Sequence, residues 1–382
     1  MRAFLRFLLG QVAWLTVLAA ALYGLAAVGK RLEAREQPAG TLRVALFING
    51  TLGDKSFFDA AARGLRQAAA TLPISARIVE GGTDPTRWQA ALTDLADSGD
   101  HDLIVTGTFT MVPYVEQLAP RYPGTRFVVY DAAVDAARCA CANVQSLVFR
   151  QNEAAYLAGY LAARLDAAGL PGVAPGGGLG VVGGMQFPVV EDFIVGFRAG
   201  AAAAAPRLPV VTQYANGFSD PAVGKEIAKA QFSRGAGIVF HVAGATGQGV
   251  NEAALETGRY AIGVDADQAA LVGPSNPALA ARIVTSVLKH VDVAVLRAIE
   301  ELIEPAQRAG TAGTPRLRSL GLAEHGVGLA PTPATTVAIP PGLAEELDRV
   351  RTEIISGQRA VPSAFAPRTG DAREPPSKER SS

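Results

Sequence analysis

The sequence contains little of the chemistry on which enzymes, metalloproteins and nucleic-acid-binding proteins depend. Its 382 residues include two cysteines and four histidines, and they contain no Walker A, G-x-S-x-G or H-E-x-x-H motif. No histidine lies near the cysteines in the sequence, so their loop offers too few ligands for a zinc site. Basic and acidic residues number 35 each, and this balance gives no reason to expect nucleic acid as a partner. We therefore expect neither an enzyme nor a resident metal or cofactor.

The two cysteines, Cys139 and Cys141, are separated by one residue. In an oxidising compartment they could pair, although a bridge across a single residue is strained. We expect either a local disulfide or two inert thiols, without a catalytic role in either case.

The two ends of the chain differ in composition from the part between them. Residues 7–28 form an uncharged stretch of 22 residues, which is long enough to span a bilayer. Residues 1–31 are therefore predicted to be either a cleaved secretory signal or an uncleaved membrane anchor. Both alternatives place the folded part in the periplasm or at the extracytoplasmic face of the cell membrane. Residues 32–41 are predicted to be a linker, and residues 364–382, rich in proline, serine and charge, a disordered tail.

Between these ends, apolar runs alternate with helical patterns. The first run, Val44–Ile48, is followed by a loop and by a helical pattern from Ser56 to about Ala70. Further apolar runs lie at 78–79, 102–106, 127–130, 144–149, 179–182, 238–240 and 260–264. Strands separated by helical patterns of about 10 to 15 residues are typical of parallel sheets. Because roughly 320 residues are too many for one ordinary core, we expect two lobes.

The segment 236–268 is the most informative of these units. Its first strand runs into a loop that contains Gly244, Gly247 and Gly249, and its second strand ends at Asp265. In open parallel sheets, ligands bind beyond the carboxyl ends of the strands. Glycine lets the backbone approach a ligand closely, and a carboxylate accepts hydrogen bonds from hydroxyl groups. This unit predicts a polar cleft that binds a small molecule.

Two short motifs suggest other functions and are rejected. Residues 178–183 fit G-x-G-x-x-G, but a dinucleotide fingerprint follows a strand, whereas this segment reads as the strand itself. Residues 286–289 fit the S-x-x-K motif of penicillin-binding enzymes, but the partner motifs of those enzymes are absent.

Several segments occur in the order in which one known family carries them. They are DKSF (54–57), GGMQFP (183–188), DPAVGKE (220–226), AGATGQGV (243–250) and GVDADQ (263–268). With matches spread over residues 42–363, the chain resembles the basic membrane protein family of ABC-transporter substrate-binding proteins, which contains purine nucleoside receptors. The resemblance implies a type I periplasmic-binding-protein fold, an α/β fold of two Rossmann-like lobes joined by a hinge. It also implies a nucleoside as ligand, an ABC permease and its ATPase as partners, and no cofactor.

The same resemblance predicts how the chain divides between the lobes. The first lobe is expected to comprise residues 42–146 and 283–330, and the second residues 147–282 and 331–363. The expected crossings between them lie near Asn143–Phe149 and Ile283–Leu288. The lobes are expected to close on the ligand like a hinged trap.

The family also implies which residues bind the ligand. Phe57 stacks on the nucleobase, and Asp265 accepts hydrogen bonds from the ribose hydroxyls. Lys289 matches a lysine that reaches the ligand, Asp131 ends a strand that points into the cleft, and Phe187 is a further aromatic candidate. All of these except Asp265 have a structural alternative, namely a buried ring for the phenylalanines, a turn cap for Asp131 and a solvated side chain for Lys289.

The remaining candidates each have two interpretations. Asp54 is either a ligand contact or the N-cap of a helix. Gly244 and Gly247 present main-chain N–H groups to the ligand or form a tight turn, and both can hold. Asn49 stands where family members carry an acidic residue, and Phe58 stands where they carry asparagine. Both positions read the base edge in the family. Because asparagine donates as well as accepts hydrogen bonds, the sequence leaves open an altered base preference or a ligand other than a purine nucleoside.

The predicted function is that of an extracytoplasmic substrate-binding protein of an ABC importer that binds a nucleoside. The alternative is a membrane-tethered sensor of the same fold with a non-nucleoside ligand, which an uncleaved anchor would favour. A nucleoside-processing enzyme is a poorer hypothesis, because no nucleophile has a base close to it.

Overall fold

A computed structural model of the chain describes residues 41–303, 316–332 and 339–365. The predicted signal or anchor at 1–31, nearly all of the linker, and the tail beyond residue 365 lie outside these ranges. Within them, no helix combines the length and the apolar character that a membrane crossing requires.

The strands of the described residues form two sheets of six. The first sheet contains β1 (Leu42–Ile48), β2 (Ile74–Glu80), β3 (Leu103–Gly107), β4 (Arg126–Tyr130), β5 (Val144–Phe149) and β11 (Arg316–Leu320). The second contains β6 (Leu179–Gly183), β7 (Val210–Tyr214), β8 (Ile238–Val242), β9 (Tyr260–Asp265), β10 (Ile283–Lys289) and β12 (Val327–Leu329). The spatial orders are β11-β5-β4-β3-β1-β2 and β12-β10-β9-β8-β6-β7. Neighbouring strands are parallel except for the antiparallel pair β10–β12. The predicted α/β architecture of two parallel-sheet lobes is confirmed.

Helices cover both faces of each sheet. They are α1 (Phe57–Thr71), α2 (Trp88–Asp97), α3 (Val112–Leu118), α4 (Gln151–Ala168), α5 (Pro188–Ala204), α6 (Pro221–Ser233), α7 (Thr246–Thr257), α8 (Gln268–Val272), α9 (Pro277–Ala280), α10 (Val291–Ile303) and α11 (Leu343–Ile355). Helices α1 and α10 pack together on one face of the first sheet, and α2 and α3 lie on the other. In the second lobe α4 pairs with α5 and α6 pairs with α7, again on opposite faces.

Strand β1 illustrates why some elements are easy to recognise. Val44, Leu46 and Ile48 face one core, and Phe47 faces the other, so the strand is buried on both sides. A parallel strand in this position reads as a continuous apolar run. Strand β7 is different, because it lies at a sheet edge and its Val211 is exposed. The sequence pattern does not predict it.

The chain passes between the sheets at three places within the described residues. It leaves the first sheet after β5, returns to it after β10 through α10, and passes from β11 back to β12. The predicted first lobe includes residues 283–289, whereas the structure pairs them, as β10, with β9 in the second sheet. The sequence could not decide this, because an apolar strand beside a crossing looks the same in either sheet. The structure also keeps residues 147–149 in β5 of the first sheet and pairs residues 327–329, as β12, with β10 of the second sheet, so these parts of the predicted division are wrong as well. The third crossing, between β11 and β12, is not among the two expected from the sequence. The rest of the predicted division stays a prediction.

The crossing segments are bound to one another at Arg150, which directly follows β5. Its N–H donates to the Leu320 carbonyl at 2.9 Å. Its guanidinium donates to the Ser319 hydroxyl at 3.1 Å and pairs with Glu324 at 2.6 Å. The His290 N–H, directly after β10, donates to the Gly326 carbonyl at 2.9 Å. All three crossings therefore form one hydrogen-bonded hinge.

Cys139 and Cys141 form a disulfide between β4 and β5. Both side chains are buried, so of the two alternatives considered above the structure has the local disulfide.

The contact between α4 and α5 depends on residues without side chains. A Cβ atom at Gly159 would overlap the Phe197 carbonyl oxygen, and one at Gly200 would overlap the Tyr156 carbonyl oxygen. The two helix backbones therefore approach so closely that even a methyl group does not fit between them.

We expect Gly159→Ala to lower the free energy of unfolding by about 1–3 kcal/mol, because overpacking a tight contact forces the helices apart. The matched control is Gly124→Ala, since Gly124 is exposed and a Cβ there meets open space. Urea denaturation of both variants measures the effect. Equal stabilities would show that the helix contact tolerates a methyl group.

Candidate functional site

The carboxyl ends of strands from both sheets meet between the lobes. Asp131 follows β4 in the first lobe, Asp265 ends β9 and Lys289 ends β10 in the second. The Lys289 ammonium pairs with Asp131 at 2.6 Å, and the Ser56 hydroxyl, just before α1, donates to Asp265. The structure thus brings together three of the charged residues that the sequence places far apart.

Lys289 is almost fully enclosed. Its side chain is 2% exposed and that of Asp131 is 10% exposed. The ring centroids of Phe57, Phe149 and Phe193 lie 5.5, 5.6 and 4.9 Å from its Nζ. Aromatic faces attract a cation, but an ammonium this deeply buried also requires a paired carboxylate. The alternative of a solvated lysine is therefore wrong.

The two carboxylates have unusual backbones and raised pKa values. Asp131 and Asp265 have φ angles of 63° and 65°, a region that non-glycine residues occupy at a cost and that is frequent at functional sites. Burial raises the pKa of Asp265 to about 6, although Lys289 and the hydrogen bond from Ser56 act in the opposite direction. Burial also raises the pKa of Asp131, opposed by Lys289.

Asp54 acts as a helix cap in this structure. Its carboxylate accepts hydrogen bonds from the N–H groups of Ser56, Phe58 and Asp59 at 2.8–3.1 Å, which stabilises the first turn of α1. Its carbonyl oxygen accepts from the Gln248 side chain of the other lobe at 3.2 Å. The capping interpretation explains the side chain, and contact with a ligand stays a prediction.

Aromatic rings line the same region. Phe57 contacts Tyr130 and Phe58, with centroid distances of 5.3 and 5.4 Å. Phe187 meets Phe109 of the other lobe at 4.4 Å. Sequence reasoning missed Phe109, although its position two residues after β3, at the ligand-binding edge of the sheet, was a usable signal.

Of the glycines expected in one loop after β8, Gly244 lies in that turn, whereas Gly247 lies in the first turn of α7. Gly244 has a φ of 53°, which glycine adopts without strain. The Gly247 N–H donates to the Gly244 carbonyl at 3.0 Å, and a Cβ at Gly247 would collide with the His241 ring. The tight turn from β8 into α7 therefore accounts for Gly247, whose N–H is already bonded to the Gly244 carbonyl.

Asn49 directly follows β1 and is 8% exposed. Its Nδ2 donates to the hydroxyls of Thr108 and Thr110, at 2.9 Å each. Its Oδ1 is buried and has no hydrogen-bond partner among the described residues. No sequence pattern singles out the two threonines.

A groove of about 480 Å³ lies elsewhere, on the hinge. Arg150, Asp192, Arg359 and Phe365 line it together with Phe149, whose ring also contacts Lys289. None of the predicted ligand-binding residues lines this groove. Between the lobes, side chains of the protein contact one another directly, so this structure has the lobes closed.

The raised pKa of Asp265 makes stability depend on pH. The carboxyl group of Asp265 binds a proton more tightly in the folded state than in the unfolded chain, where its pKa is 3.8. Protonation of Asp265 therefore stabilises the folded state, and this stabilisation is complete below pH 3.8. It is lost as the pH rises to about 6. We expect the unfolding free energy of the protein, minus that of Asp265→Asn, to fall by up to about 3 kcal/mol over this interval and to be constant above it. Urea denaturation across the interval measures this, and a difference that is independent of pH would contradict it.

The buried ion pair can be tested by a double-mutant cycle. We expect Lys289→Met to cost about 3–5 kcal/mol, because it leaves Asp131 buried without a counter-charge, and Asp131→Asn in the same chain to recover part of that loss. The control is Arg63→Met, since Arg63 and Asp292 pair at 3.3 Å in a partly exposed position and should contribute about 1 kcal/mol or less. Urea denaturation measures all variants. If the changes in unfolding free energy of the two single variants, at 289 and 131, add up to that of the double variant, the two residues are not coupled.

Comparison with known proteins agrees with this architecture. The chain is 30% identical over 322 residues to basic membrane protein A1 of Borrelia garinii subsp. bavariensis, which covers 84% of this chain and 88% of that protein. A solute-binding protein of an ABC transporter system from Aeropyrum pernix K1 superposes with a TM-score of 0.71 at 28% identity, over 84% of this chain and 94% of the other. A similar protein from Conexibacter woesei has a TM-score of 0.66 at 26% identity, over 85% and 100%.

The family model described as "ABC transporter substrate-binding protein PnrA-like" matches residues 41–363. Proteins of this description bind a small molecule and act with a permease and its ATPase, and they are not enzymes. The resemblance and the periplasmic-binding-protein fold expected from the sequence are both confirmed. The chain belongs to the Bmp family of PnrA-like ABC-transporter substrate-binding proteins.

Proposed function

We propose that this protein captures a nucleoside between its two lobes and delivers it to an ABC permease. The observation that carries the proposal is the position of the Phe57 ring beside the buried cluster of Asp131, Asp265 and Lys289. A nucleoside combines an aromatic base with a ribose rich in hydroxyl groups. An aromatic face next to buried hydrogen-bonding groups is complementary to both parts.

The base is assigned to the aromatic side of the cleft. Phe57 lies at the start of α1 and is only partly buried, so it can offer a face to a planar ligand. Stacking of this kind contributes roughly 1–3 kcal/mol per base and tolerates different bases. Phe187 and Phe109, which meet across the lobes, would cover the base from the cleft entrance.

The ribose is assigned to the charged side. Asp265 already accepts a hydrogen bond from a hydroxyl group, that of Ser56, and a ribose hydroxyl could take the same place. Lys289 would donate to a ribose oxygen while it keeps its contact with Asp131. Two buried carboxylates face one ammonium, so this side favours ligands that donate hydrogen bonds and disfavours anions.

Lobe closure would couple binding to transport. The cross-lobe contacts made by Lys289, Ser56 and Gln248 belong to the closed arrangement. A ligand that adds contacts to both lobes favours that arrangement over an open one. The permease would recognise the closed form. The walls of the proposed site would include Asn49 and Asp54, which follow β1, and Gly244 and Gly247, which follow β8.

The proposal includes a location outside the cytoplasm. Substrate-binding proteins of ABC importers work there, and the uncharged stretch at 7–28 has the length of a signal segment or an anchor. Residues 32–41 and 364–382 would be a linker and a tail around the folded part.

Calorimetric titration of the ligand-stripped protein with purine and pyrimidine nucleosides, free bases and ribose tests this function. We expect saturable binding of one nucleoside per chain. Phe57→Ala should weaken it roughly 10- to 100-fold through lost stacking, and Asp265→Ala roughly 10-fold or more through lost hydrogen bonds to a charged group. Phe365→Ala is the control, because this exposed ring lies at the hinge groove.

The panel separates the possible outcomes. Binding of nucleosides that both cleft variants weaken, and the control does not, supports the proposal. A folded protein that binds none of the nucleosides would overturn it, and so would nucleoside binding that neither cleft variant changes.

A further inference from the structure

Asn49, Thr108 and Thr110 form a closed polar triangle at the ends of β1 and β3. The Asn49 Nδ2 lies 2.9 Å from each threonine hydroxyl oxygen, and the two hydroxyl oxygens lie 2.7 Å apart. The Oδ1 of the same amide is buried and has no partner among the described residues. A buried acceptor without a donor costs about 1–3 kcal/mol, so this atom calls for an explanation.

Hydrogen-bond counting favours this orientation of the amide. The short contact between Thr108 and Thr110 uses one hydroxyl proton within the pair. If the amide nitrogen faces the threonines, its two N–H groups can donate to the two hydroxyl oxygens. Every side of the triangle then carries a hydrogen bond. With the amide reversed, the two hydroxyl protons could satisfy only two of the three sides. The amide nitrogen therefore faces the threonines, and the amide oxygen faces away from them.

The backbone holds the threonines in place. Thr108 has a φ of 71°, a conformation that costs a β-branched residue free energy and persists only where the surroundings impose it. Its N–H donates to the Tyr130 carbonyl at 3.0 Å, and its carbonyl accepts from the Met111 N–H at 3.2 Å. The loop after β3 is thus fixed at both sides of Thr108, which fixes the hydroxyl that faces Asn49.

We propose that Thr108 and Thr110 are positioning residues that lock the Asn49 amide with its oxygen towards the ligand, so that the cleft selects nucleosides whose base edge carries an N–H donor. This rests on the proposed function above. Although asparagine can donate and accept, the lock leaves it as an acceptor only. A ligand N–H would pair the buried oxygen, whereas a base without a donor would leave it unpaired.

Purine riboside is the matched probe, because it has the purine ring and the ribose of adenosine but no N–H on the base. We expect calorimetry on the full chain to give at least 10-fold weaker binding of purine riboside than of adenosine, inosine or guanosine. This corresponds to about 1.4 kcal/mol, within the cost of an unpaired buried acceptor.

Three variants test the residues. The quantity compared is the affinity for adenosine divided by that for purine riboside. Asn49→Ala should reduce this ratio towards one, because the acceptor is gone. Asn49→Asp should keep the ratio, because a carboxylate still accepts and the threonine hydroxyls can donate to it. Thr108→Val/Thr110→Val keeps the side-chain shapes but releases the amide, so the ratio should shrink although Asn49 is present.

The outcomes are distinguishable. Nucleosides that bind equally well with or without a base N–H overturn this proposal and leave the proposed function standing. A ratio unchanged in Thr108→Val/Thr110→Val or Asn49→Ala, or a ratio lost in Asn49→Asp, overturns the lock as well. Failure of all nucleosides to bind the folded wild-type protein overturns the function and this proposal together. Thermal unfolding of each variant checks that it is folded.

Discussion

The buried ion pair between Lys289 and Asp131 sets the arrangement of the two lobes. The ammonium ends β10 in one sheet, and the carboxylate follows β4 in the other, 2.6 Å away. Three phenylalanine rings surround the ammonium, and in such surroundings an unpaired charge is far more costly than in water. In the closed arrangement the lobes therefore dock so that the two groups meet. Contacts such as that between Ser56 and Asp265 follow from this docking.

The polar groups of the cleft are mostly acceptors. Asp131 and Asp265 together outweigh the single ammonium of Lys289, and burial raises the pKa of both carboxyl groups. At the other end, Asn49 has its amide nitrogen bound to threonine hydroxyls and its oxygen unpaired. A molecule with donors at both ends, hydroxyl groups at one and N–H groups at the other, would match this distribution.

The sequence predicted the fold well and the cleft only in part. Val44–Ile48 and similar runs are recognisable because a strand buried on both faces has no polar positions, and Asp265 and Asp131 are recognisable because they end such strands. The assignment of β10 to a sheet could not be predicted, because pairing between distant strands leaves no local pattern. The role of Gly247 was ambiguous because a turn and a ligand both favour glycine. Thr108 and Thr110 escaped notice because their importance lies in their distance from Asn49, which only the folded chain determines.

The hinge at Arg150 has a mechanical consequence. Arg150 joins the segment after β5 to that between β11 and β12, and the His290 N–H joins the segment after β10 to the same connection. Sliding of one lobe past the other would break this network. Hinged segments of this kind favour rotation of one lobe against the other over sliding. A rotation of this kind returns each side chain at the cleft edge to the same partner at every closure. A rotation about these segments would therefore separate Lys289 from Asp131 on opening and bring the same two groups together again on closing.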